Sequence, residues 1–351
     1  MRFIPDLMTM RDGSPVTDWQ ARRREIIELF EENEFGRTPP VCGASRVEIL
    51  SEEPKCCGGH AVLKELCFTL PTEKGEYSFP AHYFMNRRPG KRPLILFLNF
   101  RPDAYDRYAP IEEIIDHGFS VVSVCYKDIS SDDGDMANGL AGQFTRPDTG
   151  DAYAKISVWA YALSRMLDAL WDLPEIDNTN VTVAGHSRLG KTALWCAAQD
   201  ERIKFAYSNG SGCAGAAYER VKSDERAETM DIINTNFPFW FCDNYRKYRK
   251  DAESLPFDQH MLIAAIAPRF VAVGSGSDDF WADPAGEQLS CIGASPAWEM
   301  QGLSGFVGPM PPCRTGDHFC EGHISYHKRD GVHFFSRRDW LPLMKFIEKN
   351  L

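Results

Sequence analysis

No stretch of the 351 residues approaches the ~20 consecutive apolar residues of a membrane-crossing helix, so no membrane partner is expected. Positive charge is also short. Against 50 Asp and Glu stand 39 Lys and Arg, a formal net charge of −11 with a pI near 5.4. Nucleic-acid binders cluster Lys and Arg on one face, and no nucleic-acid partner is predicted. A disulfide framework is missing too. The eleven cysteines are odd in number and sit in core-like segments (Cys67, Cys125, Cys196), which fits a reducing compartment. Cys56 and Cys57 are adjacent, too close for an easy bridge. The start, Met1-Arg2-Phe3-Ile4-Pro5, lacks the apolar core of about 7 to 15 residues that marks a signal peptide. This predicts a cytoplasmic protein, or a secreted one if a leader has been removed. No repeat or low-complexity tract occurs, and 43% hydrophobic with 25% charged residues excludes disorder.

What is present is an alternation of elements. A helix is expected from Asp18, which can cap it, with Ile26, Ile27, Leu29 and Phe30 as its apolar stripe. Extended runs at residues 46–50, 61–70 and 77–85, joined by Gly/Pro/Lys-rich turns, read as an antiparallel start to a sheet. Near-continuous apolar runs at 93–99 and 119–125 then read as strands covered on both faces. Helices at 110–117, 152–173, 191–199 and 339–349 alternate with strands at 181–184, 205–208 and 270–273. That rhythm predicts a mostly parallel, twisted sheet with helices on both faces. Residues 211–268 and 280–326 break the rhythm as long insertions that begin where strands end. Ligand crevices lie at the carboxyl ends of such strands, so the insertions are expected to shape the pocket of one domain spanning residues 1–351.

Ser187, in Val183-Ala-Gly-His-Ser-Arg-Leu-Gly-Lys191, follows a strand and precedes a helix. A sharp turn there lifts a serine hydroxyl out of the sheet edge, the geometry of a nucleophile elbow in the α/β-hydrolase fold. Gly185 supplies the first small residue. Leu189 stands where a second glycine is usual, and Gly190 comes one residue later. The Arg188 N–H, at a helix start, is positioned to stabilise an oxyanion, with Asn99-Phe100-Arg101 as a source of a second donor.

A nucleophilic serine needs a base, and in this fold the order is Ser, acid, His. His333 precedes the final helix and is the candidate base, with His318, His323 and His327 as alternatives. The acid should follow the strand at 270–273, where Asp278 and Asp279 stand together. Cys313, His318, Cys320, His323, His327 and His333 contain ligand types for zinc, but the spacing matches no zinc site. No metal or other cofactor is expected.

With these residues in hand, the chain resembles carbohydrate esterase family 15, the glucuronoyl esterases, whose elbow reads Gly-(Cys/His)-Ser-Arg-x-Gly-Lys. Residues 11–13, 36–39, 280–287 and 327–340 are also similar to bacterial members, so the likeness covers nearly the whole chain. It implies an α/β-hydrolase fold with Ser187 as nucleophile, His333 as base and Arg188 as oxyanion stabiliser through its side chain as well. Lys191 would bind sugar hydroxyls and Trp281 would line the sugar site. The implied substrate is a small-molecule or oligosaccharide ester of glucuronate, such as a xylan–lignin linkage. A short-acyl or acetyl xylan esterase, and a non-catalytic carbohydrate-binding descendant, are the alternatives. The chain departs from fungal members in Tyr207-Ser-Asn-Gly-Ser-Gly-Cys213, where Asn209 falls at the position expected for their acid, a Glu. The duty is then expected to pass to Asp278 or Asp279.

Overall fold

Asp18 accepts a hydrogen bond from the Gln20 N–H and starts helix α1, Trp19–Asn33, whose Ile26, Leu29 and Phe30 face the core. The structure is a computed structural model and describes residues 4–351. Met1, Arg2 and Phe3, part of the segment read for a leader, lie outside the described residues. Strands β1 (Arg46–Cys56), β2 (Ala61–Thr72) and β3 (Gly75–Asn86) follow as an antiparallel meander. Next come β4 (Arg92–Asn99), α2 (Ile111–Asp116), β5 (Ser120–Cys125), α3 (Tyr126–Ile129) and α4 (Lys155–Leu170). The second half runs β6 (Ile176–His186), α5 (Arg188–Gln199), β7 (Phe205–Asn209), α6 (Met230–Asn236), α7 (Gln259–Ala264) and β8 (Phe270–Gly276). It closes with α8 (Pro284–Ala294), α9 (Pro296–Glu299), β9 (His318–Phe319), β10 (Ile324–Arg329) and α10 (Arg337–Lys349).

The strands form one ten-stranded sheet in the order β1-β2-β3-β5-β4-β6-β7-β8-β10-β9. From β5 through β10 every pairing is parallel, whereas β3 joins β5 antiparallel and β9 closes the far edge antiparallel to β10. This is the α/β-hydrolase arrangement expected, with its antiparallel N-terminal part. Strands β4 and β5 are buried almost end to end, because α4 and α5 pack on one face and α2 and α10 on the other. Among the described residues no helix is long and apolar enough to cross a membrane.

Two expectations need correction. The second insertion ends before residue 324, because Ile324–Arg329 is a full parallel strand, β10, inside the sheet. Its Ser-Tyr-His-Lys-Arg character hid it. The buried His327 and Arg329 are instead satisfied by the fully buried Asp339 carboxylate, at 3.3 and 2.7 Å. The first insertion is not all pocket wall either. Residues 257 and 261–267 are buried in the main core, α7 packing between α1, α5 and α8.

Candidate active site

The turn after β6 is built around backbone strain. Ser187 has φ 58° and ψ −127°, a conformation that costs a non-glycine residue on the order of 1–3 kcal/mol and persists only where neighbours enforce it. Here the Ser187 N–H donates to the Asn209 carbonyl at 2.8 Å, and the Ser187 carbonyl accepts the Gly190 and Lys191 N–H groups. A Cβ on Gly185 would meet the Leu189 carbonyl oxygen at 2.1 Å, and one on Gly190 would meet Ser208 Oγ at 2.9 Å. The second close approach therefore falls at residue 190, while Leu189 is buried in the core. This accounts for the displaced glycine. Arg188 is the first residue of α5, so its N–H has no intrahelical acceptor.

His333 lies in the loop between β10 and α10. The side chain of Arg329 staples that loop, donating to the carbonyls of Asp330, Val332 and Phe334. A second loop, after β8, is knitted to the first: Ser277 and Asp278 N–H groups donate to the Arg329 and Gly331 carbonyls, and Gly331 N–H donates to Ser277 Oγ. The result is a 2.6 Å hydrogen bond between His333 Nδ1 and Asp279 Oδ2. It is Asp279 and not Asp278 that meets the imidazole. Asp278 lies in the turn after β8 and is exposed, while Asp279 is buried.

Asn209 does not orient His333. Its Oδ1 lies 2.7 Å from Nδ1 of His186, and its amide nitrogen donates to Asp339 Oδ1 at 2.9 Å. Burial drives the His186 pKa down to about 3, so its ring is a neutral plate whose centroid lies 4.4 Å from that of His333. The position that faces the base from β7 is the next one. A Cβ on Gly210 would lie 3.4 Å from His333 Nδ1 and 3.0 Å from Asp279 Oδ2. The glycine leaves the space that the Asp279 carboxylate fills from the other side.

Ser187, Arg188, Lys191, Trp281 and His333 all border one cavity of about 260 Å³ at the carboxyl ends of the strands. A larger cavity of about 560 Å³ lies between α4 and α5, bordered by Arg165, Asp168, Asp200 and Arg202, which are spent on each other as ion pairs. The smaller one carries the convergent groups. Lys191 Nζ donates to the Ser211 and Cys213 carbonyls and lies 3.8 Å from Glu228. Burial raises the Glu228 carboxyl above its ordinary range. Trp281 borders the cavity and remains 45% exposed. The Arg188 guanidinium pairs with Asp132 and lies 4.4 Å from the Trp240 ring centroid.

Glu228, Asp132 and Trp240 were not visible to the sequence reading, because nothing in their local pattern sets them apart from other loop residues. Of the alternative bases, His327 pairs with Asp339, His318 with Ser325 Oγ and His323 with the Ser304 carbonyl. Of the proposed second oxyanion source, Asn99 is turned to Asp106 and Ser123, and Arg101 to Asp103.

A parallel sheet with a strained serine at its central strand-to-helix turn, bordering one cavity with a histidine held by a buried aspartate, defines the class: an α/β-hydrolase with the side-chain set of a serine-type ester hydrolase. The comparisons narrow the class. The family described as fungal glucuronyl esterase matches residues 103–302. A carbohydrate esterase from an unknown prokaryotic organism is 32% identical, over 99% of this chain and 89% of its own. The solved glucuronoyl esterase of Solibacter usitatus superposes with a TM-score of 0.88 at 30% identity, covering 99% of this chain and 97% of that one. A family 15 esterase from a marine bacterial metagenome, described as promiscuous, gives 0.88 at 30% identity over 100% and 98%. The chain belongs to the glucuronoyl esterases of carbohydrate esterase family 15, which are carboxylic ester hydrolases.

Proposed function

We propose that the protein hydrolyses esters of glucuronate through Ser187, His333 and Asp279. With Nδ1–H of His333 donated to Asp279, the Nε2 lone pair is free for the Ser187 hydroxyl. Ser187 Oγ attacks the ester carbonyl as His333 takes its proton. The carbonyl oxygen becomes an oxyanion, stabilised by the Arg188 N–H and guanidinium. Collapse breaks the C–O bond to the alcohol, which leaves with the proton from His333. Water then attacks the acyl-enzyme with the same proton transfers, freeing the uronic acid and Ser187.

The acyl group's sugar ring is assigned to Lys191, Glu228 and Trp281. A lysine with three donors keeps one for a substrate hydroxyl after binding two carbonyls, Glu228 can accept, and the Trp281 face suits the C–H face of a pyranose. The Asp279–His333 bond beside strained Ser187 carries the reading. Hydrolysis of the methyl ester of glucuronate is expected to disappear in Ser187→Ala, and full activity in that variant would refute it. A second reading, broad ester hydrolysis, is favoured by the likeness to a relative described as promiscuous. Competition of acetylated xylan against methyl glucuronate separates the two.

A further inference from the structure

Asp132 is bound by groups from three separate segments. Its Oδ2 accepts from Arg188 on the elbow and, at 2.8 Å, from Tyr126 Oη at the start of α3. Its Oδ1 accepts from Trp240 Nε1 of the first insertion at 2.7 Å. The acids beside it are spent locally. Asp133 accepts from Ser131 and the Asp135 N–H, and Asp135 from the Ala137 N–H. Asp132 alone of the three turns inward, with a side chain only 10% exposed.

The cation it holds is flanked by aromatic rings while still bordering the cavity. The Arg188 guanidinium carbon lies 4.4, 5.4 and 5.7 Å from the ring centroids of Trp240, Phe237 and Phe100, a cage that favours a cation by its ring quadrupoles. Phe237 and Trp240 stack face to face at 4.0 Å with a 2° interplanar angle. Yet the guanidinium is not saturated, because its Nε–H is buried with no partner. One terminal nitrogen is tied down while a donor is left over.

We propose that Asp132 is a positioning residue for ester cleavage: by binding Arg188 and Trp240 with its two oxygens, it fixes the elbow cation and the insertion wall as one unit against the cavity. The inference rests on the reading of Arg188 as oxyanion stabiliser. It also assigns the first insertion a part in the chemical step, through Trp240. A pre-fixed cation needs no reorganisation when the oxyanion forms, whereas an untethered arginine side chain must first be ordered.

The sign of the effect separates this from plain charge. A carboxylate near a developing anion opposes it, so removing that charge would speed the reaction if only through-space electrostatics counted. Positioning predicts the reverse. With methyl glucuronate as substrate, Asp132→Asn is expected to lower kcat by about 10- to 100-fold with KM changed less than about threefold, the pattern of an interaction made in the transition state. Asp132→Glu should restore part of kcat, and Trp240→Phe, which keeps the ring and removes the donor, should lose about 3- to 10-fold. In an Arg188→Ala background the Asp132→Asn loss should shrink to under about threefold, since the two act as one unit.

An unchanged or raised kcat in Asp132→Asn, or an equal loss with and without Arg188, overturns the proposal. If Asp132→Asn does not fold, Trp240→Phe at wild-type kcat overturns it instead. Loss of an effect from Arg188→Ala itself would count against the assignment of Arg188. Retained activity in Ser187→Ala would count against the parent reading, and labelling of Ser187 by an organophosphonate keeps those failures apart.

Discussion

Nδ1 of His333 and Oδ2 of Asp279 stand 2.6 Å apart, the imidazole 40% exposed at the cavity and the carboxylate 2% exposed behind it. The contrast matters. An open base can reach a substrate, while a buried acid is strongly coupled to its one partner. Asp279→Asn is therefore expected to cut kcat by about 10²- to 10⁴-fold through loss of tautomer control and of imidazolium stabilisation. Asp278→Asn, at an exposed position, should stay within about twofold of wild type. Steady-state hydrolysis of methyl glucuronate by the two variants decides it, and equal losses would mean that the acid is not assigned to one residue.

Gly210 makes room for that acid. It sits at φ +51°, and an added Cβ would stand 3.0 Å from Asp279 Oδ2. Gly210→Ala should cost about 1 kcal/mol of stability from the left-handed backbone alone. It should also lower kcat by more than about tenfold by displacing the carboxylate from His333. Thermal unfolding and kinetics measured together separate the two effects. An Ala variant with unaltered kcat would show that Asp279 has slack.

Glu287 gives the protein a pH dependence of its own. Complete burial raises its carboxyl to about 8, against hydrogen bonds from Ser275 Oγ and the Gly212 N–H that favour ionisation. A carboxyl whose folded pKa lies above its unfolded value holds its proton more tightly in the native state. Its contribution is thus complete below about pH 4.5 and is lost as pH rises toward 8. The slope is up to about 1.4 kcal/mol per pH unit in that window. Glu287→Gln keeps an acceptor for Gly212 and a partner for Ser275, so its stability should fall less between pH 5 and 8 than the wild type's. Parallel slopes in denaturant titrations across that range would place the ionisation elsewhere.

The legible part of this molecule is the part written in local pattern. Strands β4 and β5 are continuous apolar runs, and the elbow is a short motif in a strand-to-helix context, so both could be read directly. Strand β10 could not, because its buried His327 and Arg329 are neutralised by Asp339, ten or more residues along the chain. The same limit applied to the site. The choice between Asp278 and Asp279 depends on which side of one loop faces His333, and that is set by β10, which local pattern does not reveal. Asp132 and Trp240 meet Arg188 only through the fold.

Asn209 falls at the position expected for the fungal acid but has another role in this fold, and that role can be measured. It does not touch His333 but joins His186 to Asp339. Asn209→Ala would remove the shorter of the two contacts to His186 Nδ1, leaving the backbone carbonyl of residue 209 at 3.1 Å, and would take one donor from a fully buried carboxylate. Both groups keep other partners, His186 that carbonyl and Asp339 its bonds from Arg329 and Ser336, so the loss expected is that of two ordinary buried hydrogen bonds, about 1–3 kcal/mol in all. At temperatures where the variant remains folded, its kcat should fall far less than that of Asp279→Asn, because the bond between Asp279 and His333 does not pass through residue 209. A kcat loss as large as that of Asp279→Asn, in a variant of near wild-type stability, would return Asn209 to the base.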